Sequence, residues 1–191
     1  MAGPEGADVR PGLHIELGGG AVLRPYEPTD ADALYGLIDS NRVRLARWFH
    51  WVDDATDVAS QRAYIESRID DGRSLDGNGI WVGEDLAGGC DLMINGSDDM
   101  GELGFWLDEA FVGRGLITRA AQALMARGYE SEGLHRTQLR AGVDNLRSRA
   151  VAKRLGLREE GVLRGAGKVG GGLYVDLVIY GQVVDDWRKT V

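Results

Sequence analysis

The stretch Gly101 to Glu130, GELGFWLDEAFVGRGLITRAAQALMARGYE, constrains the fold more than any other part of the chain, because it reads as strand, glycine-bearing turn and helix in immediate succession. Glu102 to Leu107 is short, apolar and aromatic-rich, which predicts a buried strand ended by Asp108 and Glu109. The turn Val112-Gly113-Arg114-Gly115 then feeds a helix whose apolar positions Leu116, Ala120 and Leu124, with Ile117, Ala121 and Met125, recur at i and i+4. The first backbone N–H groups of such a helix have no partner inside it, and the helix dipole adds partial positive charge. Residues 112–118 are therefore a candidate phosphate cradle, with a plain strand-to-helix turn as the alternative. The turn lacks the Lys-Ser/Thr end of a P-loop and the three-glycine dinucleotide fingerprint.

A second segment, VDNLRSRAVAKRLGLREEG from Val143 to Gly161, supplies the missing context. Before it, RTQLRAGV (Arg136 to Val143) alternates Thr137, Leu139, Ala141 and Val143 with polar or small residues, which predicts a strand. Asp144 and Asn145 can cap a following helix that carries Leu146, Ala150, Val151 and Leu155 on one face, and Gly156 suits the left-handed position that ends it. A turn of the type Q/R-x-x-G-x-G/A, then a strand, N-x-x-S and a helix ending R-L-G-L/F, resembles the GNAT superfamily of acetyl-CoA-dependent N-acetyltransferases. Leu23 to Asp53 resembles the opening strand and split first helix of its RimJ/RimL branch, which acetylates ribosomal-protein N-termini. Gly170 to Trp187, with Asp176 and Tyr180 four residues apart, resembles that branch's closing strand.

The resemblance implies an α/β fold, a mixed and mostly antiparallel sheet of about seven strands flanked by about four helices. It implies acetyl-CoA as co-substrate without a metal, and a primary amine, at a ribosomal or other protein N-terminus, as acceptor. It also implies a homodimer. Val112, Gly113, Arg114, Gly115, Leu116, Ile117 and Thr118 would wrap the pyrophosphate with their N–H groups, and the edge of Phe105, Trp106 and Leu107 would pair with the pantetheine amides. Asn145 would bind the pantetheine arm. Val112 stands where Gln or Arg is usual, and Ile117 where Gly or Ala is usual, so binding falls to the backbone donors.

Acyl transfer from a thioester to an amine needs a deprotonated amine, a stabilised oxyanion and a proton for the departing thiolate. Glu102 occupies the family's carboxylate position before the turn, as a base or a salt-bridged strand residue, and Asp176 is a second candidate. Ala152 stands where many members carry the acidic tyrosine, which leaves Ser148, three residues after Asn145, as proton donor or as a helix-start serine bonded to its own backbone. By analogy the acceptor slot lies between Asn41, Arg44, Trp48, His50 and Trp51 on one side and the loop Arg164 to Gly172 on the other, with Tyr174 at its edge. Transfer to a small amine, a succinyl donor, and acyl-CoA binding without catalysis are the alternatives.

Length and composition agree with one globular acyltransferase domain from residue 13 to residue 191, after a tail of residues 1–12: the chain has 191 residues, 43% hydrophobic and 27% charged. No apolar run approaches the roughly 18 residues of a membrane span, and the N-terminus lacks the pattern of a signal peptide, so a cytoplasmic protein is expected. Cys90, the only cysteine, reads as a buried inert thiol. A formal net charge of −8 argues against direct nucleic-acid binding and suits a cationic acceptor. His14, His50 and His135 are scattered without ligand spacing, so no metal site is expected. Thr29-Asp30-Ala31-Asp32 resembles a capping box, a helix is predicted after Thr56 with Gly72 at its end, and strands are predicted at residues 79–83 and 86–94.

Overall fold

The computed structural model describes residues 13–69 and 75–190. The expected tail and Gly72 lie outside them. Among the described residues eight strands form one sheet in the order β1-β2-β3-β4-β5-β6-β8-β7. They are β1 (Ile15–Gly18), β2 (Ala21–Pro25), β3 (Asn78–Val82), β4 (Asp85–Asn95), β5 (Met100–Leu107), β6 (Arg136–Gly142), β7 (Arg158–Lys168) and β8 (Tyr174–Val183). Every neighbouring pair is antiparallel except β5 with β6. Between those two the chain crosses over through helix α3 (Leu116–Glu130), the connection that a parallel pair requires.

The strand beyond the expected seven is β7. It pairs with β8 along the sheet edge, and all but one of its eleven residues are exposed. With no buried face it has no apolar alternation, so the sequence carries little trace of it.

Helices cover both faces. On one side α1 (Ala31–Ala46), a short 3-10 turn (His50–Asp53) and α2 (Val58–Ile69) bury Tyr26, Leu34, Ile38, Leu45, Val52 and Ile65. On the other, α3 and α4 (Leu146–Arg154) enclose Cys90, Leu92, Leu103, Leu124, Val151 and Leu155, and the four-residue α5 (Val184–Trp187) follows β8. The six periodic residues of α3 are all buried, none more than 8% exposed, and each large one contributes about 1.5–3 kcal/mol by leaving water. No helix among the described residues is long and apolar enough to cross a membrane.

Two local expectations change. Thr29 does not open α1; a 3-10 turn of Pro28–Asp30 precedes it, and the Asp30 carboxylate accepts from the Glu27 N–H (2.8 Å) and from Arg24 (2.7 Å). On α4, Leu146 is 69% exposed while Ala152 is fully buried, so the inward face is Val151, Ala152 and Leu155.

The end of α1 meets the end of β6 at one close contact. A Cβ placed on Gly142 would lie 3.0 Å from the Trp48 ring, a tight approach that the indole must shift to accommodate. Gly142→Val is expected to cost about 1–3 kcal/mol by overpacking, with a smaller loss for Gly142→Ala, measured as the shift in urea midpoint.

Candidate active site

The parallel pair β5–β6 stops early. Its register runs from Met100↔Arg136 to Leu103↔Leu139, although β5 continues to Leu107 and β6 to Gly142. Beyond that point β5 stays with β4, through Gly88↔Leu107, and β6 stays with β8, through Gly142↔Leu177. The two strands diverge, and among the described residues no strand pairs with the Phe105–Leu107 edge on this side. Such an edge offers N–H and C=O groups to an extended amide chain.

The N-terminus of α3 follows this gap. Gly113 and Gly115 have φ of 86° and 72°, the left-handed region that side chains resist, and Gly115 caps the helix with its backbone alone. The N–H groups of Gly115, Leu116, Ile117 and Thr118 have no acceptor among the described residues. Val112 differs from the expectation, because its N–H is spent on the Glu109 carbonyl (3.2 Å). Arg119 reaches back to the Arg114 carbonyl (3.0 Å), Arg114 donates to the Ala110 carbonyl (3.1 Å), and Arg154 meets the Thr118 hydroxyl (3.3 Å). Open donors and three guanidinium groups at a helix start suit a diphosphate.

The N-terminus of α4 flanks the other side of the gap. The Asn145 carbonyl oxygen caps the helix by accepting from the Ser148 N–H (3.2 Å), which leaves the Asn145 amide and the Ser148 hydroxyl without partners among the described residues. The serine is therefore not bonded to its own backbone. Ala152 points into the core, so its position sends no side chain toward the gap.

Glu102 lies one residue before the last paired residue of β5. One oxygen accepts from Gln138 (2.8 Å), its register partner, and the other from Arg140 (2.7 Å). It lines a cavity of about 840 Å³ that runs from the divergence to the space beneath α1 and α2. Alternation explains the two faces: Cys90, Leu92 and Leu103 belong to the core against α3, while Asp91, Met93, Glu102, Gly104 and Trp106 line the cavity. Burial pushes the Cys90 thiol well up, consistent with an inert residue.

The expected acceptor residues separate into two groups. Trp48, His50 and Trp51 line the cavity, together with Ala166 to Val169 from the far wall. Trp51 lies between Phe49 and Trp106, with ring centroids 5.5 and 6.1 Å away. Asn41 and Arg44 are not among the lining residues. Asn41 donates to the Leu37 carbonyl and accepts from Arg44 (2.7 Å), and Arg44 also donates to the Leu107 carbonyl (2.5 Å). Glu109 continues this brace, 3.8 Å from Arg44 and 2.8 Å from Arg147, whose guanidinium holds its carboxyl below the ordinary range. Tyr174 is 68% exposed and outside the cavity.

Asp176 requires a correction. Val175 and Leu177 line the cavity, so Asp176 between them points the other way, where it accepts from the Gly165 N–H (2.7 Å) across the β7–β8 hairpin. It takes no part in the chemistry proposed below. Residues 164–172, expected as a loop, are partly strand: β7 continues to Lys168, and the Gly171 N–H donates to Asp53 (2.9 Å).

Asp91 is one of the lining residues that the sequence patterns do not single out as functional. Its carboxylate accepts from the Asn78 N–H (2.9 Å), and burial pushes it up to about 7 against that bond. A signal was available: a charged residue between Cys90 and Leu92 in an otherwise apolar strand marks the opposite face.

Comparison with known proteins agrees with this geometry. The family model described as an acetyltransferase (GNAT) domain matches residues 21–158. The chain is 34% identical over 174 residues to a putative ribosomal N-acetyltransferase, YdaF, of Bacillus subtilis strain 168, covering 87% of this chain and 93% of the relative. It is 28% identical to the ribosomal-protein-serine acetyltransferase of Escherichia coli K12, over 80% of this chain and 86% of that protein. Among solved structures, a RimL ribosomal L7/L12 alpha-N-protein acetyltransferase in complex with coenzyme A aligns with a TM-score of 0.82 at 25% identity, covering 91% of this chain and 99% of that one. The microcin C7 self-immunity acetyltransferase MccE, in complex with acetyl-CoA and AMP, aligns at 0.81 and 26%, covering 90% and 97%. With a divergent β5–β6 pair, open donors at α3 and a family match over most of its length, the chain belongs to the GNAT acetyltransferases.

Proposed function

We propose that this protein transfers the acetyl group of acetyl-CoA to the α-amino group of a protein N-terminus, in the cytoplasm and as a homodimer. The observation that carries the transfer is the continuity of three features: unpaired N–H groups at α3, the unpaired edge of β5, and a cavity that opens where β5 and β6 part. The names of the relatives favour the acceptor class. The buried free thiol of Cys90 suits a reducing compartment.

Acetyl-CoA supplies an activated thioester carbonyl. Gly115 to Thr118 hold the diphosphate through their N–H groups, and Phe105 to Leu107 pair with the pantetheine amides along the open edge. The Asn145 amide adds a donor to the same arm. Glu102, on the cavity face at the start of the divergence, takes the proton that the acceptor ammonium must lose. Ser148 gives a proton to the departing thiolate, a role open to a hydroxyl that no group among the described residues engages. Exposure of the edge strand β7, on which Val162 and Leu163 are each 51% exposed, supports self-association through this strand.

Gly115→Glu sets a carboxylate and a Cβ against Arg119 at a left-handed position, and should abolish acetyl-CoA binding in calorimetry. Unchanged affinity would remove the cradle. Ser148→Ala is expected to lower kcat by about 10²-fold or more while acetyl-CoA affinity stays near wild type; wild-type turnover takes Ser148 out of the mechanism. Release of free CoA from acetyl-CoA and from succinyl-CoA, with N-terminal peptides and small amines as acceptors, tests the function itself. Turnover of peptides with acetyl-CoA supports it, and tight acyl-CoA binding without turnover on any acceptor refutes it. Equilibrium sedimentation of wild type and Val162→Arg tests the dimer, which the arginine should dissociate.

A further inference from the structure

The cavity has a wall to which the acetyl-transfer chemistry above assigns no role. It lies beneath α2, where Tyr26, Gln61, Tyr64, Arg68, Asp76 and Asp91 form the wall. The Asp91 carboxylate is held there by the backbone N–H of Asn78 and by Gly77, at the start of β3; Asp91 is paired with Gly104, so it lies one strand across from the point where β5 leaves β6. Gln61 is 6% exposed; its amide donates to the Ser60 hydroxyl (3.2 Å), and its carbonyl oxygen has no partner among the described residues. Arg68, the cation on this wall, is engaged by Asp76 (3.2 Å) and sits over the Tyr64 ring (5.3 Å to the centroid). A carboxylate, an unused amide oxygen and tyrosine rings therefore converge on one partly dry space. That is the chemistry that holds an ammonium or guanidinium group.

We propose that this part of the cavity is a subsite for a second positive charge on the acceptor, with Asp91 as the carboxylate that receives it. The subsite lies roughly 7–10 Å, about two strand spacings, from the amine to be acetylated. The inference rests on reading the β5–β6 divergence as the place of acetyl transfer. The charge can come from a lysine or arginine side chain near the start of a peptide, or from the far amine of a free polyamine.

The pH dependence follows from the surroundings of Asp91. Tyr26 faces it from the segment after β2, Tyr64 and Arg68 from α2, and Asp76 from the segment before β3. Burial is the largest influence and raises the carboxyl to about 7; Asp76 adds to this, while Arg68 and the N–H donors of Asn78 and Gly77 oppose it. A bound cation favours the ionised carboxylate, so the subsite strengthens as pH rises through about 7 and weakens below it.

Two peptides that differ only in lysine or norleucine at the second residue test the proposal. The ratio of their kcat/KM values cancels the deprotonation of the α-amine, which both share. Wild type should favour the lysine peptide by about tenfold, the ratio should grow from pH 6 to pH 8, and in Asp91→Asn it should fall toward one at every pH. Calorimetry with acetyl-CoA reports whether that variant is folded. Independently of any variant, calorimetry with spermidine should show binding to wild type that weakens from pH 8 to pH 6.

A preference for the lysine peptide without acetylation of spermidine identifies a peptide source of the charge, and acetylation of spermidine in preference to a monoamine of similar length identifies a polyamine. A ratio of one in wild type with no spermidine binding overturns the subsite, as does a preference that survives in folded Asp91→Asn. If acetyl-CoA binds but no acceptor turns over, the acetyl-transfer reading fails, and spermidine binding to wild type alone decides the subsite.

Discussion

The end of pairing between β5 and β6 at Leu103↔Leu139 is the constraint on which the rest of the molecule turns. Each strand keeps its outer neighbour, β5 holding β4 as far as Leu107 and β6 holding β8 as far as Gly142, so two continuous half-sheets separate at one point. Among the described residues no strand satisfies the backbone groups of the part-buried β5 edge on that side; the Leu107 carbonyl takes Arg44 instead, and leaving such groups unpaired away from water costs free energy. An extended amide-bearing ligand meets that need. Trp48 against Gly142 and Arg44 on the Leu107 carbonyl each hold one side of the gap.

The period of two in β4 and β5 lets the same strands serve stability on one face and chemistry on the other. Cys90, Leu92 and Leu103 face α3 and exclude water, while Asp91, Met93, Glu102 and Gly104 face the helices α1 and α2 across a cavity. A rigid apolar layer on one side fixes the positions of the polar groups on the other. The charges on the cavity face are accordingly restrained: Glu102 is engaged by Gln138 and Arg140, and Asp91 by the β3 backbone. Asp91 is the costlier of the two environments, because its main partner is a neutral N–H and burial favours its protonated form.

Arginines do much of the bracing. Arg44 links α1 to the end of β5 and lies near Glu109, Arg147 brings α4 to the same carboxylate, and Arg149 donates to the Tyr180 hydroxyl (2.9 Å) and to the Val143 carbonyl (2.9 Å). Their forked donors can satisfy two acceptors on different elements at once. This is why Asn41 and Arg44, polar residues on a helix beside the expected acceptor slot, hold the scaffold around the cavity without lining it.

What the sequence determined by itself is local. The apolar period of α3, the glycines at 113 and 115, the Asn145 cap and the serine after it all depend on residues within about one helical turn, and each appears in the structure where spacing and backbone preference put it. Tertiary structure decided what depends on long-range placement. Asp176 turned from the cavity because its neighbours Val175 and Leu177 took that face, and β7 formed because β8 offered an edge, with no apolar pattern of its own. Asp91 became part of a cavity wall only when α2 folded over β4, bringing Gln61 and Tyr64 above a carboxylate that is distant in the chain. Local backbone chemistry is written in neighbouring residues, whereas the partners that define a cavity meet only after the sheet has set its register.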